Sequence, residues 1–120
     1  MKKSILAILL IALSLSCFAI GKKKLHAKMN SWLRHSKHEL VMKWGMPTRT
    51  GDDGNGGEIV LYAYSGSREA IPLLQGDYIP AQSWYDYRIF YINSDGIIYS
   101  WRTTRERIPP QQINLYIYRN

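Results

Sequence analysis

The chain has 120 residues, with four Trp and nine Tyr, and 16 Lys and Arg against nine Asp and Glu. That length holds one domain with a modest core. The single cysteine, Cys17, excludes a disulfide framework and a cysteine-ligated zinc.

Met1-Lys2-Lys3 is a basic start, followed from Ser4 to Leu15 by Ile, Leu and Ala almost throughout. With small residues up to Ala19, this is the pattern of a secretory signal over residues 1–19. The cut falls after Ala19, or after Gly21 as an alternative. Lipid attachment at Cys17 is disfavoured, because an apolar residue three places earlier and a small one two places earlier are wanted. Ser14 and Leu15 hold those positions in reverse order. An uncleaved anchor is disfavoured too, because Ile5 to Ile20 is shorter than the ~20 residues that cross a bilayer. The expected product is therefore periplasmic and soluble, with a lipid anchor through Cys17 as the alternative.

Loss of Lys2 and Lys3 reduces the net charge from +7 to +5, and Lys22, Lys23 and Lys24 read as a solvated leader. What remains is too mildly basic for a nucleic-acid partner, and leaves weak association with an anionic membrane surface or envelope polymer.

Leu25, Met29, Trp32 and Leu33 share one helical face, which predicts a short helix over Lys23–Leu33. Ser36-Lys37-His38-Glu39 is a capping box, and Glu39 and Lys43 are an i, i+4 pair. Gly45 and Pro47 end this second helix, predicted over residues 37–44. Thr48 to Gly57 reads as a turn region. Strands are predicted over Glu58–Tyr64, Trp84–Asn93 and Ile97–Thr103, the last two joined through Asn93-Ser94-Asp95-Gly96. Residues 65–83 read as a long insertion loop carrying Ile71, Leu73, Leu74, Tyr78 and Ile79. Ile113, Leu115 and Ile117 alternate with Asn114, Tyr116 and Tyr118, so residues 108–120 are a candidate fourth, edge strand. The fold class is α+β: two short N-terminal helices on a three-stranded, or four-stranded, antiparallel sheet.

The order from Ser36 to Trp101 resembles a known family. A capped two-turn helix leads to Trp44-Gly45-Met46-Pro47, then a Gly-rich gap, Leu61-Tyr62-Ala63-Tyr64 and an Asp-Gly hairpin. This is similar to small bacterial envelope proteins of the SmpA/OmlA type, which include the small lipoprotein of the outer-membrane β-barrel assembly machinery. The same unit occurs in inhibitor proteins of β-lactamases. The resemblance implies helices on one face of a three-stranded sheet, and a binding or scaffolding role. The poor lipobox and the long 65–83 segment depart from the family, and no functional residue carries over.

No catalytic motif is present: Ser31, Ser65, Ser83 and Asp86 lack a Gly-x-Ser-x-Gly context. His35 and His38 lack a third metal ligand, and Asp52, Asp53, Asn55 and Glu58 fall short of a calcium loop. The expectation is a non-enzyme without cofactor or metal. Its candidate contact with a protein partner is Ile71, Leu73, Leu74, Tyr78 and Ile79, since apolar side chains on a long loop need burial. An alternative face is formed by Tyr87, Arg88, Trp101 and Arg102, if those side chains lie on the open side of the sheet.

Overall fold

The computed structural model describes residues 22–119; the predicted signal, with Cys17, Ala19 and Gly21, lies outside them. The chain divides into two compact units between Trp32 and Leu33. In the first, residues 22–30 are helical (α1), ending earlier than predicted. Ser31 Oγ donates to Lys28 O at 2.6 Å, a local bond with which a serine competes with helix propagation. No helix among the described residues is long and apolar enough to cross a membrane.

The second unit starts with α2 (Lys37–Trp44). The Ser36 hydroxyl accepts from Glu39 N–H at 3.1 Å, as the capping pattern requires. The Glu39 carboxylate does not reach back or pair with Lys43; it takes His35 Nδ1 at 2.5 Å. Gly45 closes the helix at φ 83°, its N–H donating to Val41 O.

Six strands follow: β1 (Arg49–Asp52), β2 (Glu58–Arg68), β3 (Ile71–Pro72), β4 (Tyr78–Ile79), β5 (Gln82–Ile92) and β6 (Ile98–Glu106). The main sheet has the order β1-β2-β5-β6, antiparallel throughout, and β3 and β4 form a small sheet of their own. The α+β class holds, with two corrections. The fourth strand is β1, within the stretch read as a turn, and the C-terminal tail is not a strand.

The tail instead crosses a sheet face. Pro109 and Pro110 lack the N–H groups a ladder uses, and Asn114 caps a 3₁₀ turn over Leu115–Tyr118 by accepting from Tyr116 N–H. Ile113, Leu115 and Tyr118 are buried against Ile59, Leu61, Tyr87, Ile89 and Tyr91. Gly51 makes room, since a Cβ there would stand 3.1 Å from Leu115 Cδ1. Polar bonds fix the path. Tyr87 and Tyr91 hydroxyls donate to the carbonyls of Ile108 and Tyr118, and Arg49 Nη1 donates to those of Pro110 and Ile113.

The opposite face holds Val60, Tyr62, Phe90, Ile92 and Ile98, all buried. Trp44 of α2 meets Tyr62 and Phe90 edge-on, with ring centroids 5.3 and 5.2 Å apart. Buried Phe and Tyr rings on both faces each contribute roughly 1.5–3 kcal/mol by area. The sheet is thus covered on both sides at the Ile92 end of β5.

β2 and β5 are longer than predicted, pairing as far as Arg68↔Gln82. The predicted loop 65–83 therefore shrinks to residues 69–81, which themselves form the β3–β4 hairpin. In this extension the Trp84 ring lies across Gly66; a Cβ at Gly66 would stand 2.4 Å from Trp84 Nε1. Glycine there lets the ring fold over the partner strand.

Candidate functional site

The β3–β4 hairpin carries the first candidate surface. Ile71, Leu73, Leu74, Tyr78 and Ile79 are all exposed, Leu74 by 89% and Tyr78 by 65%. Gln75 and Gly76 at φ 64° and 79° turn the chain between the strands, and Leu73 N–H closes the loop onto Asp77 O. Both strands have only two residues, so the hairpin cannot hide five apolar side chains within itself. Its link to the sheet is Arg68 Nη2, which donates to Pro80 O at 3.2 Å.

The alternative face does not exist as a unit. Tyr87 is fully buried on the tail side. Arg102, opposite Ile89, shares that side and stacks 6.0 Å from the Tyr118 ring. Arg88 and Trp101 lie on the α2 side, in register with Tyr62 and Phe90. Neighbours along a strand face opposite ways, which parts Tyr87 from Arg88 and Trp101 from Arg102, and a bulge shifts the rest: Tyr91 pairs with Ser100 but Ile92 with Ile98, so Tyr99 is an extra residue. Strict alternation through Ile97, Tyr99 and Trp101 therefore fails, because side chains beyond the extra residue change faces.

On the α2 side, β2, β5 and β6 run on past the helix, and their side chains form a ladder of rings and guanidinium groups. The Arg88 guanidinium lies 4.6 Å from the Tyr64 ring and 5.8 Å from the Trp44 ring. The Arg105 guanidinium lies 4.8 Å from the Trp84 ring. Asp86 holds Arg105 in a forked pair, at 2.8 Å to Nε and 3.3 Å to Nη2. That carboxylate raises the Arg105 pKa further above its ordinary value. At the tip is a cleft of about 460 Å³ lined by Arg68, Gln82, Ser83, Trp84, Arg105, Glu106 and Arg107. None of Arg68, Trp84, Arg105 and Arg107 stands out in the sequence. Arg68 and Arg107 are far apart along the chain, and the extended β2–β5 register is what brings them to one cleft.

The metal candidates have other work. His35 is tied to Glu39, Glu58 accepts Lys37 Nζ at 2.6 Å, and Asp52 Oδ1 caps Gly54 N–H. Asp53 is buried, its Oδ1 accepting from the N–H groups of Asn55 at 2.7 Å and Gly57 at 2.9 Å. Tyr99 OH reaches its Oδ2 at 3.3 Å. The Asn55 amide, first among these, holds the Asp53 carboxyl below its ordinary pKa, against the opposing effect of burial. Gly57 must be glycine, because a Cβ would stand 2.1 Å from Ile92 O. This is a structural Asx turn. No group of three His, Cys, Asp or Glu among the described residues is placed to hold a metal ion.

Glu106 Oε1 accepts from Thr104 Oγ1 at 3.2 Å and from Tyr118 OH at 3.3 Å. Burial, then the Glu106 charge, pushes the Tyr118 hydroxyl up to about 12. Burial likewise raises the pKa values of Tyr62, Tyr87 and Tyr91.

No family model, curated protein or solved structure matches this chain. The functional reading rests on the two surfaces just described.

Proposed function

We propose that this chain is an exported, non-catalytic binding domain of the bacterial cell envelope that docks a protein partner through the β3–β4 hairpin. The carrying observation is the hairpin itself: five apolar side chains, all exposed, on an element too small to bury them. An apolar cluster held out on a structured arm has the chemistry of an interface core, where buried aromatic and aliphatic anchors supply most of the binding energy. The signal pattern over residues 1–19 supports delivery to the periplasm, and the SmpA/OmlA-like order of Ser36 to Trp101 supports a scaffolding role.

The test compares wild type with Leu73→Asp/Leu74→Asp in pull-downs from envelope extract. The double variant keeps its thermal midpoint and loses a protein that wild type captures. Identical captured proteins from both would overturn the hairpin assignment. The mass of the purified mature protein tests delivery: cleavage after Ala19 gives the soluble form, and added lipid on Cys17 gives the anchored one.

A further inference from the structure

The cleft at the tip of the main sheet has a composition unlike the rest of the domain. Residues 33–119 hold ten Lys and Arg and all nine Asp and Glu, a net charge of +1. Arg68, Arg88, Arg105 and Arg107, four of those ten cations, gather along the ladder and its cleft, where Asp86 pairs with Arg105. The one acid of the lining, Glu106, turns its carboxylate to Thr104 and Tyr118 on the tail side. Positive charge is thus concentrated at one place on a nearly neutral domain, and such a concentration draws anions.

The guanidinium groups are also preorganised. Arg105 is fixed on two sides, by the Trp84 ring and by the Asp86 fork, with its Nη1 edge outside that fork. Arg88 is held between Tyr64 and Trp44. Arg107 makes no ion pair among the described residues, and Arg68 bonds only a carbonyl. A stacked guanidinium forgoes little freedom on binding, and its fork matches carboxylate or phosphate oxygens. The cleft, at about 460 Å³, is far larger than an inorganic anion needs and falls in the range of small-ligand sites. Beside the arginines it offers the Gln82 amide, the Ser83 hydroxyl and the Trp84 indole, donors and acceptors suited to sugar hydroxyls.

We propose that this cleft binds an acidic saccharide of one or two rings, with Arg68, Arg105 and Arg107 taking its carboxylate or phosphate and Gln82 and Ser83 its hydroxyls. The site is distinct from the apolar hairpin surface, although Arg68 also bonds the hairpin at Pro80 O.

Titration of the full mature chain with digalacturonate and with glucose 1-phosphate, read by calorimetry and by the NMR signal of the Trp84 indole N–H, tests it. At least one of these probes binds and shifts that signal, while cellobiose does not. Arg68→Ala/Arg107→Ala weakens binding by roughly tenfold or more, as loss of charge-assisted bonds does, with an unchanged thermal midpoint. Binding of neither probe overturns the site. Inorganic phosphate binding as tightly as both sugars overturns the saccharide assignment, and so does equal affinity for cellobiose. Affinity unchanged in the double variant would place the ligand elsewhere.

Discussion

The two ends of the β2–β5 pair carry the same ladder of hydrogen bonds but opposite surroundings. At the Ile92 end, α2 covers the Tyr62–Phe90 side and the tail covers Ile59, Leu61 and Tyr91. At the Arg68 end neither cover reaches, β1 no longer pairs with β2, and the strands carry Ser, Gly, Arg and single rings on to the exposed hairpin. Burial belongs to the first end and exposed surface to the second. Strand pairing alone supplies little, since a two-stranded ribbon is marginal in water; what separates the ends is how much apolar area is taken out of water. Side chains at the projecting end can therefore change without endangering the core.

The largest effect that would break this comparison comes from the covered end. Phe90→Ala removes a fully buried ring under Trp44 and is expected to cost about 3–5 kcal/mol in urea unfolding. Leu115→Ala, which empties the pocket over Gly51, should cost about 2–5 kcal/mol. A loss below ~1 kcal/mol would mean that the tail is not part of the core, since a full Leu deletion is normally worth more.

Alkali should act on the same end. Tyr118, Tyr87, Tyr91 and Tyr62 all have hydroxyls whose folded pKa lies above the unfolded value of 10, so folding favours their neutral form. Their contribution is complete below pH 10 and is lost as the pH rises through each folded value, about 12 for Tyr118. Thermal midpoints recorded from pH 8 upward should fall above pH 10, and less steeply in Tyr118→Phe. Acid acts on Asp53 in the reverse sense. Its lowered pKa stabilises the fold above the ordinary value of 3.8 and ceases to do so as pH falls through the folded value. Asp53→Asn should therefore flatten the acid limb of the midpoint curve.

The projecting end should respond least. Arg88→Ala loses its stacking on Tyr64 and Trp44 and should cost only about 0.5–1 kcal/mol. Hydrogen exchange sharpens the contrast: amides of Ile59–Leu61 and Ile89–Ile92 should exchange only with global unfolding, and those of Ser65–Arg68 and Gln82–Tyr85 well before it. Equal protection at both ends would remove the distinction.

Local chemistry was legible where neighbours in the chain settle the matter. Ser36, Gly45 and Pro47 mark both ends of α2, and Asn93 to Gly96 mark the β5–β6 turn, because caps and turns are satisfied within a few residues. The exposed apolar set Ile71, Leu73, Leu74, Tyr78 and Ile79 was legible for a similar reason: a Pro-punctuated stretch offers those side chains little to pack on.

Three features depended on partners remote in sequence. Arg49–Asp52 is a strand because Leu61 to Glu58 lie beside it, although its own Thr-Gly-Asp composition favours a turn. Ile113 to Tyr118 alternates like a strand, yet the carbonyls it presents to Arg49, Tyr87 and Tyr91 and the space above Gly51 fold it across the sheet instead. The bulge at Tyr99 moves Trp101 to the side of Phe90, away from Tyr87. The sequence by itself thus determined the α+β class, α2, the main hairpin and the apolar arm. Only the tertiary structure decided which face each ring takes and which arginines meet, because both follow from strand register, a property of paired segments that neither segment carries alone.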